Sequence, residues 1–237
     1  MYEHLVVGIE PGFATQGLAV IAPDSSIRSM ASFFSKKKDW EGHKFEERLD
    51  AMINNIIGIV RSCANDTGHS RILFVLEEWR TNPRARNNVT SYQRGYYDAE
   101  LKFRLRMEFL WSEIVTISPI WVSQFSNAAT KFTKGKENPS AREILTYIQA
   151  AFSWLHNFEA ERWLNLSPVY KLTPDSRDSS KSKKEQIHFA DAAVMAVMGQ
   201  LAINHVPALM ANSPPRHRKI IEQMRGEIQA QNQSDTR

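Results

Sequence analysis

Residues 5–21 read LVVGIEPGFATQGLAVI. Two apolar runs, 5–9 and 18–21, flank a break at Glu10-Pro11-Gly12, and this arrangement is the signal of a β-hairpin. A third run at 27–34 extends the hairpin into an antiparallel meander. From Phe45 the period changes. Phe45, Leu49, Met52, Ile53, Ile56, Ile57 and Val60 recur at helical spacing, with Glu46, Glu47, Arg48 and Asp50 on the other face. That helix should stop near Asn65-Asp66-Thr67-Gly68. The next run, Ile72-Leu73-Phe74-Val75-Leu76, is the most continuous apolar stretch of the chain and suits a strand buried on both faces.

Working outward, the pattern predicts a helix over 87–110, a strand over 114–122 and a polar, basic connector over 124–139. A helix over 141–152 follows. Residues 153–182 read as irregular, with a mobile Ser/Lys/Asp-rich part at 173–184, and a last strong helix covers 186–204. Pro207, Pro214 and Pro215 then interrupt the chain, and the polar tail reads as either helical or disordered. A strand–helix–strand crossover within one sheet runs parallel. The expected fold is therefore α/β, with a mixed five-stranded sheet (a three-strand meander, then two parallel strands) flanked by helices on both faces. The expected division is one domain at 1–204, interrupted by an irregular insertion at about 153–184, and a C-terminal extension at 205–237.

Composition sets bounds on this reading. The 237 residues are 42% hydrophobic and 24% charged, which excludes wholesale disorder. The single cysteine, Cys63, cannot form an intrachain disulfide. With no long apolar run and no signal-like N-terminus, the expected compartment is the cytoplasm and no membrane partner is expected. Thirty Lys and Arg against 26 Asp and Glu leave a net charge of only +4, so the placement of charge carries more information than its sum.

Acidic residues at strand ends are the first chemical candidates. Glu10 closes the first strand and Glu77 closes the central one, followed by Glu78 as a competitor. His188 and Asp191 open the last strong helix at i, i+3, on one face. Taken singly, each has a plain reading: a solvated loop Glu, an unliganded helix-start His, an Asp favourable to the helix dipole. Together, three carboxylates and an imidazole are a donor set for oxygen-preferring divalent cations.

These residues carry a resemblance. Val7-Gly8-Ile9-Glu10-Pro11-Gly12 followed by Gly17-Leu18-Ala19-Val20-Ile21 resembles the opening strand and hairpin of RuvC-type Holliday junction resolvases, members of the RNase H-like nuclease superfamily. Val75-Leu76-Glu77-Glu78 is similar to the second acidic motif of that family, and Tyr92-Gln93-Arg94-Gly95 falls where the family opens its long helix. Residues 135–144, with Ser140-Ala141, resemble the stretch before the next helix. His188-Phe189-Ala190-Asp191-Ala192-Ala193 resembles the closing motif, in which the first position is Asp or His. One departure is Glu10, where the family usually has Asp.

The resemblance implies an RNase H-like fold and a metal-dependent endodeoxyribonuclease that resolves four-way junctions. Two Mg²⁺ ions, with Mn²⁺ able to substitute, would sit about 4 Å apart and support hydrolysis to a 5′-phosphate and a 3′-hydroxyl. Glu10, Glu77, His188 and Asp191 are the implied catalytic and metal-binding residues. A homodimer is implied as well, cutting two strands symmetrically. With a site tolerant of either length, Glu10→Asp would keep or raise Mg²⁺-supported activity.

Charge placement points to the same partner. Between residues 80 and 106 there are seven basic residues against two acidic ones. Arg80, Arg84, Arg86 and Arg94, with Tyr92 as a stacking ring, form one candidate nucleic-acid contact. Lys131, Lys134, Lys136 and Arg142 form a second, just before a helix start. The competing readings are a nuclease of this fold acting on forks or Y-shaped DNA in a viral or mobile-element setting, and a catalytically weak DNA-structure binder. A sugar kinase or ATPase would need glycine-rich phosphate loops downstream, and the ten glycines do not cluster to supply them.

Overall fold

The computed structural model describes residues 4–68, 71–78, 88–133, 139–180, 182–204 and 215–234. Strands β1 (His4–Glu10), β2 (Thr15–Ile21) and β3 (Ile27–Phe34) form the antiparallel meander. Strand β4 (Arg71–Glu77) pairs parallel with β1, and β5 (Ser112–Ile117) pairs parallel with β4. The five expected strands are therefore present, in the order β5-β4-β1-β2-β3.

The sheet has seven strands rather than five. β6 (Val169–Leu172) adds parallel to β3, and β7 (Arg177–Ser180) adds antiparallel to β6, within the stretch expected to be irregular. Each strand is four residues long, too short for alternation to register. What orders β6 is distant in sequence: Ser32 lies opposite Val169, and Trp40 Nε1 donates to the Leu172 carbonyl at 3.1 Å. β7 is polar and exposed, a composition that discourages further pairing at a sheet edge.

A second correction concerns 114–139. β5 ends at Ile117, and helix α3 (Pro119–Thr133) occupies much of the expected strand end and connector. Ser118 caps this helix through Oγ, which accepts from the Ile120 N–H at 3.2 Å, and Pro119 takes the first helical position, where a missing N–H costs nothing. The apolar residues 120–122 extended the strand pattern of 114–117 past this stop.

The other helices are α1 (Phe45–Thr67), α2 (Asn88–Glu108), α4 (Ala141–Ala151), α5 (Ala160–Leu166), α6 (Gln186–Asn204) and α7 (Pro215–Ser234). α1 ends as expected, on Gly68 in the left-handed region (φ 67°), whose N–H caps the Ala64 and Asn65 carbonyls. α4 begins with a reciprocal Ser140–Glu143 capping box. In the tail, α7 buries Ile220, Ile221, Met224 and Ile228 on one side and packs on α6 and β5.

Two apolar layers result. Leu5, Val7, Ile9, Leu18, Phe33 and Phe74 face α1 and α2. Val6, Ala19, Ile21, Leu73 and Val75 face α6, backed by α3, α4 and α7. α6 is apolar nearly all round, as a helix enclosed by the fold must be. By length and composition, Lys183–Ile203 would cross a membrane, yet 72% of that window is buried inside the fold.

Candidate active site at the β1 and β4 strand ends

Glu10 and Glu77 are the last residues of neighbouring parallel strands, and the register pairs Ile9 with Leu76 just before them. Both carboxylates therefore leave the sheet at one level and one edge. α6 supplies the other two groups by lying unusually close to β1 and β2. A Cβ on Gly8 would stand 2.0 Å from the Ala192 carbonyl oxygen, and one on Gly17 only 1.9 Å from that of His188. Gly17 is also the cross-strand partner of Glu10. The absence of a side chain there lets the first turn of α6 settle beside Glu10, and the Phe189 N–H, donating to Ser32 Oγ at 3.0 Å, fastens it.

His188 Nδ1 lies 2.9 Å from Glu10 Oε2, and Nε2 lies 3.2 Å from Glu185 Oε2. Burial opposes charging the ring, but the hydrogen bond and charge of Glu10, with Glu185 and Asp191, outweigh it and raise the imidazole pKa. A ring facing a carboxylate on each nitrogen donates from both. In this arrangement it orients Glu10.

Asp191 lies one turn further along α6 and accepts from Ser126 Oγ of α3 at 3.2 Å. Burial, together with the charges of Glu10 and Glu77, raises its pKa against the opposing effects of Ser126 and His188. Burial and the Glu10 charge likewise push Glu77 up to about 7. Glu10, Glu77 and Asp191 border one cavity of about 290 Å³, together with Ser126 and Pro119. Glu10 and Glu77 also border a larger one of about 410 Å³, between the β1–β2 turn and α2, where Gln93, Arg94 and Tyr97 face them. Glu78 lines only the larger cavity of these two, so Glu77 is the carboxylate shared by both.

Among the described residues, no three His, Cys, Asp or Glu side chains stand as a closed metal cluster. The donor chemistry nevertheless suits a hard divalent cation. Three carboxylates border one cavity, and burial with the charge of Glu10 raises the pKa of Glu77 and of Asp191, a repulsion between ionised carboxylates that a cation would relieve.

This electrostatic arrangement makes a testable statement about pH. A carboxyl whose folded pKa is raised favours folding below its unfolded pKa and loses that contribution as pH rises through the folded value. For Glu77 the window runs from roughly 4.5 to about 7, and Asp191 and His188 act in the same direction. The apo protein should lose thermal stability over this window. Mg²⁺ should then raise the melting temperature more at pH 8 than at pH 6, because it binds the deprotonated carboxylates. Scanning calorimetry with and without Mg²⁺ checks this, and an equal shift at both pH values would contradict it.

The expected nucleic-acid contacts are spread more widely. Arg94 borders the larger cavity. Arg142, at the start of α4, pairs with Glu161 at 3.2 Å on an open surface. Lys131 falls within α3, and Tyr92 stacks on Tyr96 on the outer side of α2. Arg80, Arg84, Arg86, Lys134 and Lys136 lie outside the described residues. Sequence reasoning missed Glu185 and Ser126, and singled out Gln93 only as part of the segment Tyr92-Gln93-Arg94-Gly95. Glu185 was legible as an i, i+3 partner of His188. Ser126 was hidden because its helix was read as a connector.

No protein-family model matches the chain, and neither does any curated protein. Among solved structures, the chain is similar to Thermus thermophilus RuvC in complex with a Holliday junction substrate, at 16% identity and a TM-score of 0.49, covering 85% of this chain and 96% of that one. A second Thermus thermophilus RuvC structure aligns at 12% identity and a TM-score of 0.45, covering 84% of this chain and 97% of that one. The yeast mitochondrial Holliday junction resolvase Ydc2 aligns at 13% identity and a TM-score of 0.47, covering 96% of this chain and 84% of that one.

Proposed function

We propose that this chain is a RuvC-like nuclease of the RNase H fold that cuts branched DNA, four-way junctions above all, in a Mg²⁺-dependent hydrolysis. The observation that carries this reading is the meeting of Glu10, Glu77 and Asp191 at one cavity beside His188. Glu10, Glu77 and Asp191 would hold the metal, with Mn²⁺ as a substitute, and bound Mg²⁺ would supply Lewis acidity and an activated water. Hydrolysis joins a water oxygen to phosphorus and breaks the P–O3′ bond, leaving a 5′-phosphate and a 3′-hydroxyl. His188 holds Glu10 in place from Nδ1 and is itself held by Glu185 through Nε2. Ser126 holds Asp191.

Arg94 at the larger cavity, Arg80, Arg84 and Arg86 after β4, and Lys131, Lys134, Lys136 and Arg142 would hold phosphates of the arms. Two copies of the chain would act together, matching the two-fold symmetry of a four-way junction. Cleavage assays on four-way, fork, Y-shaped and linear DNA test this reading. Preference for the junction is expected. Preference for a fork or Y would move the substrate to debranching, and binding without cutting in any divalent ion would leave a DNA-structure binder.

The Glu10–His188 contact reverses one expectation. Glu10 uses its length to reach Nδ1, and an Asp would fall short by about one bond. Glu10→Asp should therefore lower Mg²⁺-supported cleavage about tenfold or more, since small misplacements at a reacting centre have effects of that order. Unchanged or higher activity, measured as single-turnover rates, would remove the role given to this contact.

A further inference from the structure

Gln16, the second residue of β2, is fully buried, and its side chain enters the α1 and α2 layer while position 17, next along the strand, faces α6. A buried amide needs partners for its polar atoms. Gln16 Nε2 donates to the Met52 carbonyl of α1 at 2.7 Å, which leaves Oε1 towards α2, and there the buried Tyr97 hydroxyl donates to it. Burial raises the phenol pKa, so Tyr97 keeps its proton and stays a donor. One side chain thus joins β2, α1 and α2.

Tyr97 borders the larger cavity, and so do Gln93 and Arg94, one turn earlier on the same helix. Further along, the buried face of α2 continues with Leu101 and Leu105. Apolar contacts of this kind hold a helix on a sheet but are non-directional, so they tolerate small shifts along it. A hydrogen bond between buried groups does not. At its far end α2 is tied to α1, through Arg104 with Asp50 and Asn54 and through Arg61 with Glu108. Tyr97 supplies a directional tie at the end beside the cavity.

We propose that Gln16 and Tyr97 are a positioning pair for the substrate: their hydrogen bond sets α2 against the β1–β2 hairpin, and so fixes where Gln93 and Arg94 stand relative to Glu10 and Glu77. Gln16 adjoins Gly17, the cross-strand partner of Glu10, so the reference point for α2 is the site itself rather than a distant part of the core. Arg94 is then held at a set distance from the carboxylates, where it meets a phosphate neighbouring the one that reacts. The Tyr97 hydroxyl is committed to Gln16 and acts through the helix. What is bound rests on the branched-DNA reading above, while what is positioned rests on the buried bond.

Two variants of the full chain, Tyr97→Phe and Gln16→Met/Tyr97→Phe, separate positioning from plain stability. Tyr97→Phe leaves Oε1 buried without a donor, and the melting temperature should fall by roughly 2–8 °C. The double variant replaces both partners by apolar groups of similar size, and the Met52 carbonyl lies within α1 and keeps its helical partner, so most of that loss should return. Affinity for a four-way junction, measured by gel shift in EDTA, should fall about tenfold in Tyr97→Phe and stay low in the double variant, with the slope of log affinity against log salt smaller by about one, as for a lost arginine–phosphate contact. Arg94→Ala should cost about tenfold in wild type and little in the double variant, because the contact is already gone. A double variant that regains affinity together with its melting temperature overturns the proposal, since the pair is then core packing alone. So does an Arg94→Ala loss that is the same in both backgrounds. If wild type binds no branched DNA, the substrate reading fails and hydrogen exchange decides the positioning: the α2 amides around Tyr97 should exchange about tenfold faster in the double variant than in wild type, and equal exchange overturns it.

Discussion

Asp191→Asn and Glu77→Gln should each lower junction cleavage at least about a thousandfold while leaving junction binding within a few fold, because each removes a proposed metal ligand from the centre where the phosphate reacts. Both variants keep the shape of the side chain and remove its charge. The two carboxyls are raised by burial and by the charge of Glu10, so the neutral amide relieves repulsion in the apo protein. The melting temperature without metal should therefore hold or rise, and the Mg²⁺-induced increase should shrink. This combination, no cutting with normal binding and an unharmed fold, separates a site defect from unfolding. Gel-shift, cleavage and calorimetric measurements on the same preparations check it. Cutting at the wild-type rate by either variant would remove that residue from the centre.

Gly17→Ala should be the most damaging small substitution outside the carboxylates. Its new Cβ would meet the His188 carbonyl oxygen at 1.9 Å and the Phe189 nitrogen at 2.8 Å, both backbone atoms that cannot swing aside. Relief requires the start of α6 to lift from β2, at a cost of about 3 kcal/mol or more, near the upper end for overpacking. For a chain of this size that corresponds to a fall in melting temperature of roughly 6–12 °C. The lift also draws His188 away from Glu10, so cleavage should fall even at temperatures where the variant is folded. Thermal melts and single-turnover rates test both parts. A melting temperature within a degree of wild type would mean that the close seat of α6 is not what positions the site.

The core of this arrangement was legible in sequence because its signals are local and long. The meander, α1, β4 and α6 each carry a pattern of several residues; Glu10 and Glu77 end β1 and β4, and His188 and Asp191 lie in the first turns of α6. β6 and β7 were not legible, since each is only four residues long, β6 owes its order to partners more than a hundred residues away, such as Ser32 and Trp40, and β7 forms on β6. α3 was obscured because Ile120, Trp121 and Val122 continue an apolar run across the Ser118-Pro119 stop. That misreading also hid Ser126, although it holds Asp191. Glu10, where the resembled family usually has Asp, gains a reason once His188 is seen 2.9 Å away.

The central claim is that Glu10, Glu77, Asp191 and His188 form a metal-dependent centre for cutting branched DNA. Its most direct test is an end-labelled four-way junction incubated with the wild-type chain in Mg²⁺ and in EDTA, with both cut positions and end groups mapped. Paired, symmetric cuts bearing 5′-phosphates and 3′-hydroxyls in Mg²⁺, and none in EDTA, are the predicted result. A junction that is bound but left intact in both Mg²⁺ and Mn²⁺ would contradict it.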